Sequence, residues 1–259
     1  MKKLRKFLDR TGEVGYNHFG TQMIIVKYSG TMNIVVEFQD SYKHRVTTVY
    51  SSFKNGMVGN PFDKDIYGVC YLGFNENISV SISSLPEYVK WRNMVDRCYN
   101  KKIQETNPSY KDCSVCDEWH NFQNFAKWYK DNYYQIEGQK MQLDKDILIK
   151  GNKIYSPVTC CFVPKDINNL FEKRGFHRGD FPIGVYYNKR YNNFISQCSK
   201  GKGKGNSKYI KAHSSIEEAF FDYKKQKEAF IQQKASEYKD YLPQKIYNAL
   251  FSYKVEIDD

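Results

Sequence analysis

The residues best suited to chemistry lie between Leu143 and Asn168, in the segment LDKDILIKGNKIYSPVTCCFVPKDIN. Carboxylate and amide oxygens are the ligands that hard divalent cations prefer, so Asp144 and Asn168 could hold Mg²⁺ or Mn²⁺ between them. Such an ion, bound against a phosphodiester, would neutralise the charge that develops on the leaving oxygen. We therefore predict Asp144 and Asn168 as metal ligands of a hydrolytic site.

A hydrolytic site also needs a group that takes a proton from water. Histidine suits this role because its pKa is about 6.5, but the residue after Asp144 is Lys145. Lysine, with a reference pKa of about 10.4, keeps its proton near neutral pH, so Lys145 is better suited to holding a phosphate. Asp146 and His120 are two other proton acceptors. The catalytic candidates are therefore Asp144, Lys145, Asp146 and His120; for His120 the alternative is a partly exposed helix residue without a chemical role.

The elements around these residues are predicted to be two short strands and a helix. One strand ends at Asp144, a Lys-Gly-Asn-Lys turn at 150–153 reverses the chain, an apolar strand returns, and a helix opens with Asn168 on its first turns. This order would bring the end of the first strand towards the helix. The alternative is a purely structural ββα unit, in which the Asp and Asn residues serve turns and caps.

The first section of the chain, to about residue 83, is predicted to be β-rich. Its β-branched and aromatic residues form four short runs between Gly, Asp, Asn and Pro turns, at 23–28, 33–38, 45–50 and 66–71. Short strands with frequent turns indicate a small barrel or a curled sheet. No motif in this section points to a chemical role.

The middle section is predicted to contain two helices. The first begins at Pro86, since proline fits a first turn and apolar residues follow at helical spacing: Tyr88, Trp91, Met94, Val95 and Cys98. Arg92 and Arg97 fall off this stripe, so they could reach phosphates or form a solvated face. The second helix covers 117–129, with one apolar side formed by Trp119, Phe122, Phe125, Ala126 and Tyr129.

The third section is predicted to form three strands, at 181–189, 191–199 and 207–213, and then a helix over 216–234. Ser215 and Glu218 have capping-box spacing, and a short tail helix is expected after Pro243. Because strand side chains alternate, one face would pack on the helix through Val185, Phe194, Ser196 and Cys198. The opposite face would carry Tyr186, Asn188, Arg190, Gln197 and Ser199.

The charge of the chain favours a polyanionic partner. The 259 residues carry a formal charge of +11, and ten Lys or Arg against Glu172 and Asp180 give the window 171–212 a charge of 10 − 2 = +8. Nucleic acid is the commonest partner of such a protein, and lysine used only for solubility is the alternative.

No apolar run approaches the roughly 18 residues of a membrane span, and the basic start has no apolar core of a secretory signal. We therefore expect a cytoplasmic protein without membrane contact.

Seven cysteines, an odd number, indicate reduced thiols and not a disulfide framework. Cys113 and Cys116 have the two-residue gap of a zinc knuckle. The downstream pair, Cys160 and Cys161, is vicinal, and neighbouring residues of a strand point to opposite faces, so both seldom bind one ion. The pattern favours buried thiols over structural zinc.

The segment LDKDILIKGNKIYSPVTCCFVPKDIN, with the upstream WRNMVDRCYN and CSVCDEWHNFQNFAKWY, resembles the bacteriophage HNH-type (His-Me finger) homing endonucleases. Their finger often reads as Asp-His, a Gly-Asn-Lys turn and a final Asn. The resemblance implies a one-metal nickase with Asp144 and Asn168 as ligands. This chain departs from the pattern at Lys145, which takes the histidine position, and by extra residues between Asp144 and Gly151.

The section FPIGVYYNKRYNNFISQCSKGKGKG, followed by IEEAFFDYKKQKEAF, is similar to the APETALA2-type DNA-binding domain that such nucleases often carry. The resemblance implies a sheet face that reads double-stranded DNA, where Asn and Gln pair with adenine and Arg with guanine. Lysines of the Gly-rich loop would hold phosphates, unless this loop is only a solvated hairpin tip. The DNA-binding candidates are Tyr186, Asn188, Lys189, Arg190, Gln197, Lys200, Lys202, Lys204, Arg92 and Arg97.

Together these features predict an α+β chain of four parts. They are a β-rich module (1–83), an HNH-like ββα-metal module with flanking helices (84–172), an APETALA2-like sheet with one helix (180–234) and a helical tail (235–259). The predicted function is a DNA-binding endonuclease of phage or mobile-element origin, located in the host cytoplasm if a phage encodes it. One alternative is an inactive sequence-specific DNA-binding protein or regulator, which Lys145 favours; another is a phage inhibitor of a host protein.

Overall fold

A computed structural model describes residues 8–75, 81–171, 181–199 and 208–259 of the chain. The fold is α+β with several small antiparallel sheets, which confirms the predicted class. The chain forms two compact units, Met1–Tyr129 and Lys130–Asp259. The division falls inside the predicted module 84–172, and the module boundaries stay a prediction.

The first unit begins with a four-stranded antiparallel sheet in chain order, and the helix α1 (Tyr50–Lys54) follows it. Its strands are β1 (Val14–Tyr16), β2 (Gln22–Tyr28), β3 (Ile34–Phe38) and β4 (Arg45–Thr48). Alternating apolar side chains and the α1 ring of Phe53 fill its core: Met23, Ile25, Ile34, Val36, Phe38, Phe53 and Val58. The predicted β-rich section thus contains one open sheet, in which β1 and β4 are the edge strands among the described residues.

The strand predicted at 66–71 is wrong. Ile66 and Cys70 form only an isolated antiparallel bridge, because Tyr67 (φ 55°) and Gly68 (φ 71°) turn the chain between them. The predicted run at 45–50 also ends early, since α1 begins at Tyr50.

The remaining helices that begin in the first unit are α2 (Pro86–Tyr99), α3 (Lys101–Thr106), α4 (Asp117–His120) and α5 (Phe122–Asn132), with a two-residue strand β5 (Ser114–Val115). The start of α2 at Pro86 and its buried stripe are confirmed. The single helix predicted over 117–129 is instead two helices. Asn121 breaks it, because its side-chain oxygen accepts the Gln123 backbone N–H at 3.0 Å and so caps α5.

The second unit contains the predicted order of strand, turn, strand and helix. Strand β6 (Met141–Asp144) ends at Asp144, the short β7 (Ile154–Tyr155) follows the turn, and β8 (Cys161–Pro164) pairs antiparallel with β6. Helix α6 (Lys165–Asn168) comes next and has a single turn. The strand that pairs with β6 starts at Cys161 and not directly after the turn, so a long connection lies between the paired strands.

The C-terminal sheet has the antiparallel order β11-β10-β9, from β9 (Val185–Asn188), β10 (Asn193–Ser199) and β11 (Lys208–His213). Helix α7 (Ile216–Glu237) follows, and α8 (Gln244–Phe251) is the predicted tail helix. The capping box is confirmed, because Ser215 Oγ accepts the Glu218 N–H at 3.1 Å and Glu218 Oε2 accepts the Ser214 N–H at 3.1 Å.

Helix α7 contributes to two cores. Its first half packs on the sheet in a cluster formed by Val185, Cys198, Ala219, Phe220, Tyr223 and Val255. Its second half joins α8 and the ββα unit in a larger cluster: Ile147, Cys161, Val163, Ile167, Leu170, Phe230, Ile231, Ala235, Leu242, Ile246 and Leu250. The sheet and the ββα unit therefore share one helix.

None of the described helices combines the length and the apolar character that crossing a bilayer requires.

Candidate functional site

Asp144 lies where β6 ends and is half-buried. Its Oδ1 accepts the backbone N–H groups of Asp146 at 2.7 Å and Ile147 at 2.8 Å, which is an Asx turn. Burial raises the pKa of Asp144, although the two N–H donors act in the opposite direction. One carboxylate oxygen is thus engaged in holding the turn, and the second is the oxygen that could meet a cation.

Lys145 is buried, and its ammonium group is surrounded by acceptors. The Nζ atom donates to Asp146 Oδ1 at 2.7 Å, to Asp146 Oδ2 at 2.9 Å and to the Asn152 carbonyl at 2.7 Å, and it lies 5.9 Å from the centre of the Tyr155 ring. An ammonium has three N–H donors and no acceptor. In this arrangement the nitrogen acts as a donor towards the protein, which favours a structural role over proton acceptance. The catalytic assignment of Lys145 stays a prediction.

The loop after Asp144 is closed on itself by side chains. Asn152 donates from Nδ2 to the Lys145 carbonyl at 2.9 Å and to the Ile154 carbonyl at 2.7 Å. The carboxylate of Asp146 is paired with Lys145 and about half exposed. Its charge is therefore already compensated by an internal cation.

Asn168 is the last residue of α6 and is half-buried. Within the described ranges its amide has no hydrogen-bond partner. The strand register pairs Asp144 with Cys161 but Pro164 with Met141, so β8 carries the chain about 10 Å along the hairpin before α6 begins. A four-residue helix spans about 6 Å. The convergence of Asp144 and Asn168 on one ion stays a prediction.

A divalent cation fits these residues poorly. One Asp144 oxygen is used by the turn, Asp146 is neutralised by Lys145, and Asn168 is uncharged. Among the described residues, no three His, Cys, Asp or Glu side chains form a metal-binding group. The binding of a divalent cation by Asp144 and Asn168 stays a prediction.

His120 is the last residue of α4 and belongs to the first unit, whereas Asp144 belongs to the second. Its Nε2 lies 3.4 Å from the Tyr99 hydroxyl, and its Nδ1 lies 3.6 Å from Asp117 Oδ1. The ring is thus held by neighbours within its own unit. Its proposed role as a base stays a prediction.

The face of the C-terminal sheet that packs on α7 is as predicted. Val185, Ser196 and Cys198 are buried there, and Phe194 contacts the same core. On the opposite face, which we call the outer face, Tyr186 and Ile210 are 40% and 54% exposed. Tyr186, Gln197, Ser199 and Ile210 are accessible members of the outer face. Ile195 also belongs to it but is buried, which alternation alone did not predict.

The turn between β9 and β10 presents two cations. Lys189 and Arg190 are exposed, and the Arg190 guanidinium lies 5.2 Å from the centre of the Tyr191 ring. Asn188 Oδ1 accepts the Arg190 backbone N–H at 3.1 Å. The Asn188 oxygen therefore helps to shape the turn, and its second lone pair is still able to accept from a further donor.

The other DNA-binding candidates divide into two groups. Lys200, Lys202 and Lys204 lie outside the described residues. Arg92 pairs with Asp96 at 3.0 Å and lies 5.2 Å from the Tyr67 ring centre, while Arg97 lies 5.3 Å from that of Tyr110. Both guanidinium groups stack on tyrosines of the first unit, and their contact with phosphates stays a prediction.

A partly buried polar network between the C-terminal sheet and α7 was not predicted from the sequence. Ser196 Oγ donates to Asp222 Oδ2 at 2.7 Å, the Tyr209 hydroxyl donates to Asp222 Oδ1 at 3.1 Å, and His213 Nε2 lies 3.2 Å from Asp222 Oδ2. Burial alone would raise the pKa of Asp222, but these hydrogen bonds bring it below its ordinary value. Ser196 is fully buried, so the network joins the sheet to α7 and offers no nucleophile. A serine on the predicted inner face was the available signal.

No disulfide joins the seven cysteines, all of which lie within the described ranges. Cys113, Cys160 and Cys161 are buried and Cys116 is half-buried, and burial raises the pKa of Cys116 and Cys161.

Comparisons with protein-family models, with curated proteins and with solved structures give no significant match.

Proposed function

We propose that the protein binds double-stranded DNA through the outer face of the β9–β11 sheet. The observation that carries this proposal is the asymmetry of the sheet: α7 covers one face, while the other exposes Tyr186 and Ile210 and carries the half-buried Gln197. Neighbouring strands lie about 5 Å apart, and a β-ribbon of this width enters the major groove, which is about 12 Å wide.

The exposed side chains suit the edges of base pairs. The Gln197 amide can pair with adenine and Arg190 with guanine, while Tyr186 and Ile210 offer apolar contact to thymine methyl groups. Lys189 lies beside Arg190 in the turn and would hold a phosphate. The charge of +8 over 171–212 belongs to the same unit and supports attraction to a polyanion.

The ββα unit, in this proposal, is a structural part of a DNA-binding protein. Lys145 uses its ammonium group to close the loop after Asp144, and the unit packs on the second half of α7. The ββα unit thus supports the helix that carries the sheet. This is the inactive-nuclease alternative of the sequence analysis.

Selection from a random duplex library, followed by affinity measurements, tests the proposal. We expect one preferred sequence, and we expect Gln197→Ala to relax the preference at one position, at a cost of about 1–3 kcal/mol. Lys189→Ala should weaken binding to all duplexes and lower the salt dependence. Lys239→Ala, an exposed lysine outside the sheet, is the matched control. Enrichment of no sequence, together with unchanged affinity of Gln197→Ala, would refute the proposal.

A second candidate is a divalent-metal-dependent nickase. Two observations favour it: the strand–turn–strand–helix order around Asp144, and the Asn168 amide that lacks a partner within the described residues. Its test is nicking of supercoiled plasmid with Mg²⁺ or Mn²⁺ by the parent, Asp144→Ala and Asn168→Ala. Nicking by the parent that both variants lose would support it. If the parent does not nick the plasmid and Lys145→His does, the protein is an inactive relative of a nuclease.

A further inference from the structure

The first unit carries a surface cluster of five aromatic rings, two exposed and three half-buried, that the proposed function does not use. We call it the aromatic surface: Tyr42, His44, Phe62, Tyr71 and Phe74. The Tyr42 ring stacks on Phe62 with centroids 3.8 Å apart and planes 5° apart, and its hydroxyl lies 3.0 Å from that of Tyr71. His44 lies 5.9 Å from Phe62 and 4.5 Å from Phe74, so the rings are continuous.

Two of these rings are exposed although they touch their neighbours, while His44, Phe62 and Tyr71 are half-buried. Tyr42 is 51% exposed and Phe74 is 55% exposed. Phe62 stacks on one face of Tyr42, and the residue still keeps about half of its surface exposed, which leaves area for a flat partner. Large aromatic side chains grouped on a surface mark binding sites more often than single exposed residues do.

The backbone holds the aromatic surface in place. Asp40 Oδ1 accepts the backbone N–H groups of Tyr42 at 2.9 Å and Lys43 at 3.0 Å, and Asp40 Oδ2 accepts Asn60 Nδ2 at 2.7 Å. This capped turn orders Tyr42 before any partner arrives. An ordered ring loses little conformational freedom on binding.

The charges nearby suit a polyanion. Asp40 is used by the turn, and Asp63 is buried, where it accepts hydrogen bonds from Asn17 and Thr21. The lysines next to the stacked pair in sequence, Lys43 and Lys64, are exposed. Asp40 and Asp63 are thus engaged by protein donors, whereas Lys43 and Lys64 are exposed together with one acidic neighbour, Asp65.

We propose that the aromatic surface binds single-stranded nucleic acid, with unpaired bases stacked on Tyr42 and Phe74 and phosphates near Lys43 and Lys64. Bases stack on tyrosine, phenylalanine and histidine whatever their sequence, and lysines beside the rings follow the backbone. A base-paired duplex presents no free base faces, so this site is distinct from the outer face. The proposal uses other residues than the duplex site and does not depend on it.

The experiment measures binding of the full chain to labelled thymidine and uridine oligonucleotides of about ten nucleotides, by fluorescence anisotropy. We expect Tyr42→Ala and Phe74→Ala each to weaken binding about ten-fold. Tyr42→Phe keeps the ring and should bind like the parent. Tyr241→Ala removes an equally exposed tyrosine of the second unit and is the matched control. The thymidine and uridine arms show whether DNA or RNA is preferred.

Three results would overturn the proposal. The first is the absence of single-strand binding by the parent. The second is equal affinity in Tyr42→Ala, Phe74→Ala and the parent, with circular dichroism showing that all are folded. The third is evidence that the rings bind another partner. Such evidence would be a loss of duplex binding in the Tyr42 and Phe74 variants as large as their loss of single-strand binding. It would also be the capture of a protein that is insensitive to salt and that Tyr42→Ala abolishes.

Discussion

Replacement of Lys145 by methionine tests whether the residue is structural. Methionine keeps the apolar stem but removes the ammonium group, which donates to Asp146 and to the Asn152 carbonyl. The carboxylate of Asp146 is about half exposed and can regain water, so loss of the ion pair costs about 1 kcal/mol. Loss of the donor to the Asn152 carbonyl adds about 1 kcal/mol. We therefore expect Lys145→Met to lower the free energy of unfolding by about 2 kcal/mol.

Urea unfolding followed by far-ultraviolet circular dichroism measures this change. The three tryptophans, Trp91, Trp119 and Trp128, lie in the first unit, so their fluorescence assigns each transition to a unit. Lys239→Met, an exposed lysine of the second unit, should change stability by less than about 0.5 kcal/mol. Equal free energies of unfolding of Lys145→Met and the parent would show that the contacts of the ammonium group contribute nothing to stability. This result would refute the structural role of Lys145.

The remaining predictions concern Asp144, Ser215 and Asp222. Burial raises the pKa of Asp144, so the charged form of this carboxyl is disfavoured in the fold. Asp144→Asn keeps the oxygen that accepts the turn N–H groups, and its free energy of unfolding at pH 7 should be equal to or higher than that of the parent. A free energy of unfolding lower by more than about 1 kcal/mol would contradict this expectation. Ser215→Ala removes the cap of α7 and should cost about 1 kcal/mol in urea unfolding, whereas Ser236→Ala near the opposite end of α7 is the control. The pKa of Asp222 is lowered in the fold, so its contribution is present above its ordinary pKa of 3.8 and is lost as pH falls below that value. Asp222→Asn should flatten this acid dependence, and an unchanged pH profile of unfolding would count against the network.

Elements with strong local signals could be predicted from the sequence. Pro86 fixed the start of α2, Ser215 with Glu218 fixed that of α7, and alternation placed Cys198 on the buried face. Each of these features depends on residues close together in the chain, where spacing and backbone chemistry are sufficient.

Features that depend on distant residues could not be predicted in this way. The strand expected at 66–71 is a turn, since Tyr67 adopts a positive φ that its residue type does not suggest. The burial of Lys145 depends on the Asn152 carbonyl, seven residues away. Spacing showed that Lys145 stands where a histidine was expected, but only the folded loop shows which acceptors surround its nitrogen.

The shared helix gives the ββα unit a structural role that does not depend on catalysis. The first half of α7 forms the core of the C-terminal sheet through Phe220 and Tyr223, while its second half packs on the ββα unit through Phe230 and Ile231. A 22-residue helix with a weakly segregated apolar face gains most of its stability from such packing and little from helix propensity. Loss of the ββα unit would expose half of α7 and weaken the support of the sheet. Under the proposed function, selection for DNA binding alone would therefore retain the ββα fold, and a lysine that closes its loop would be tolerated at position 145.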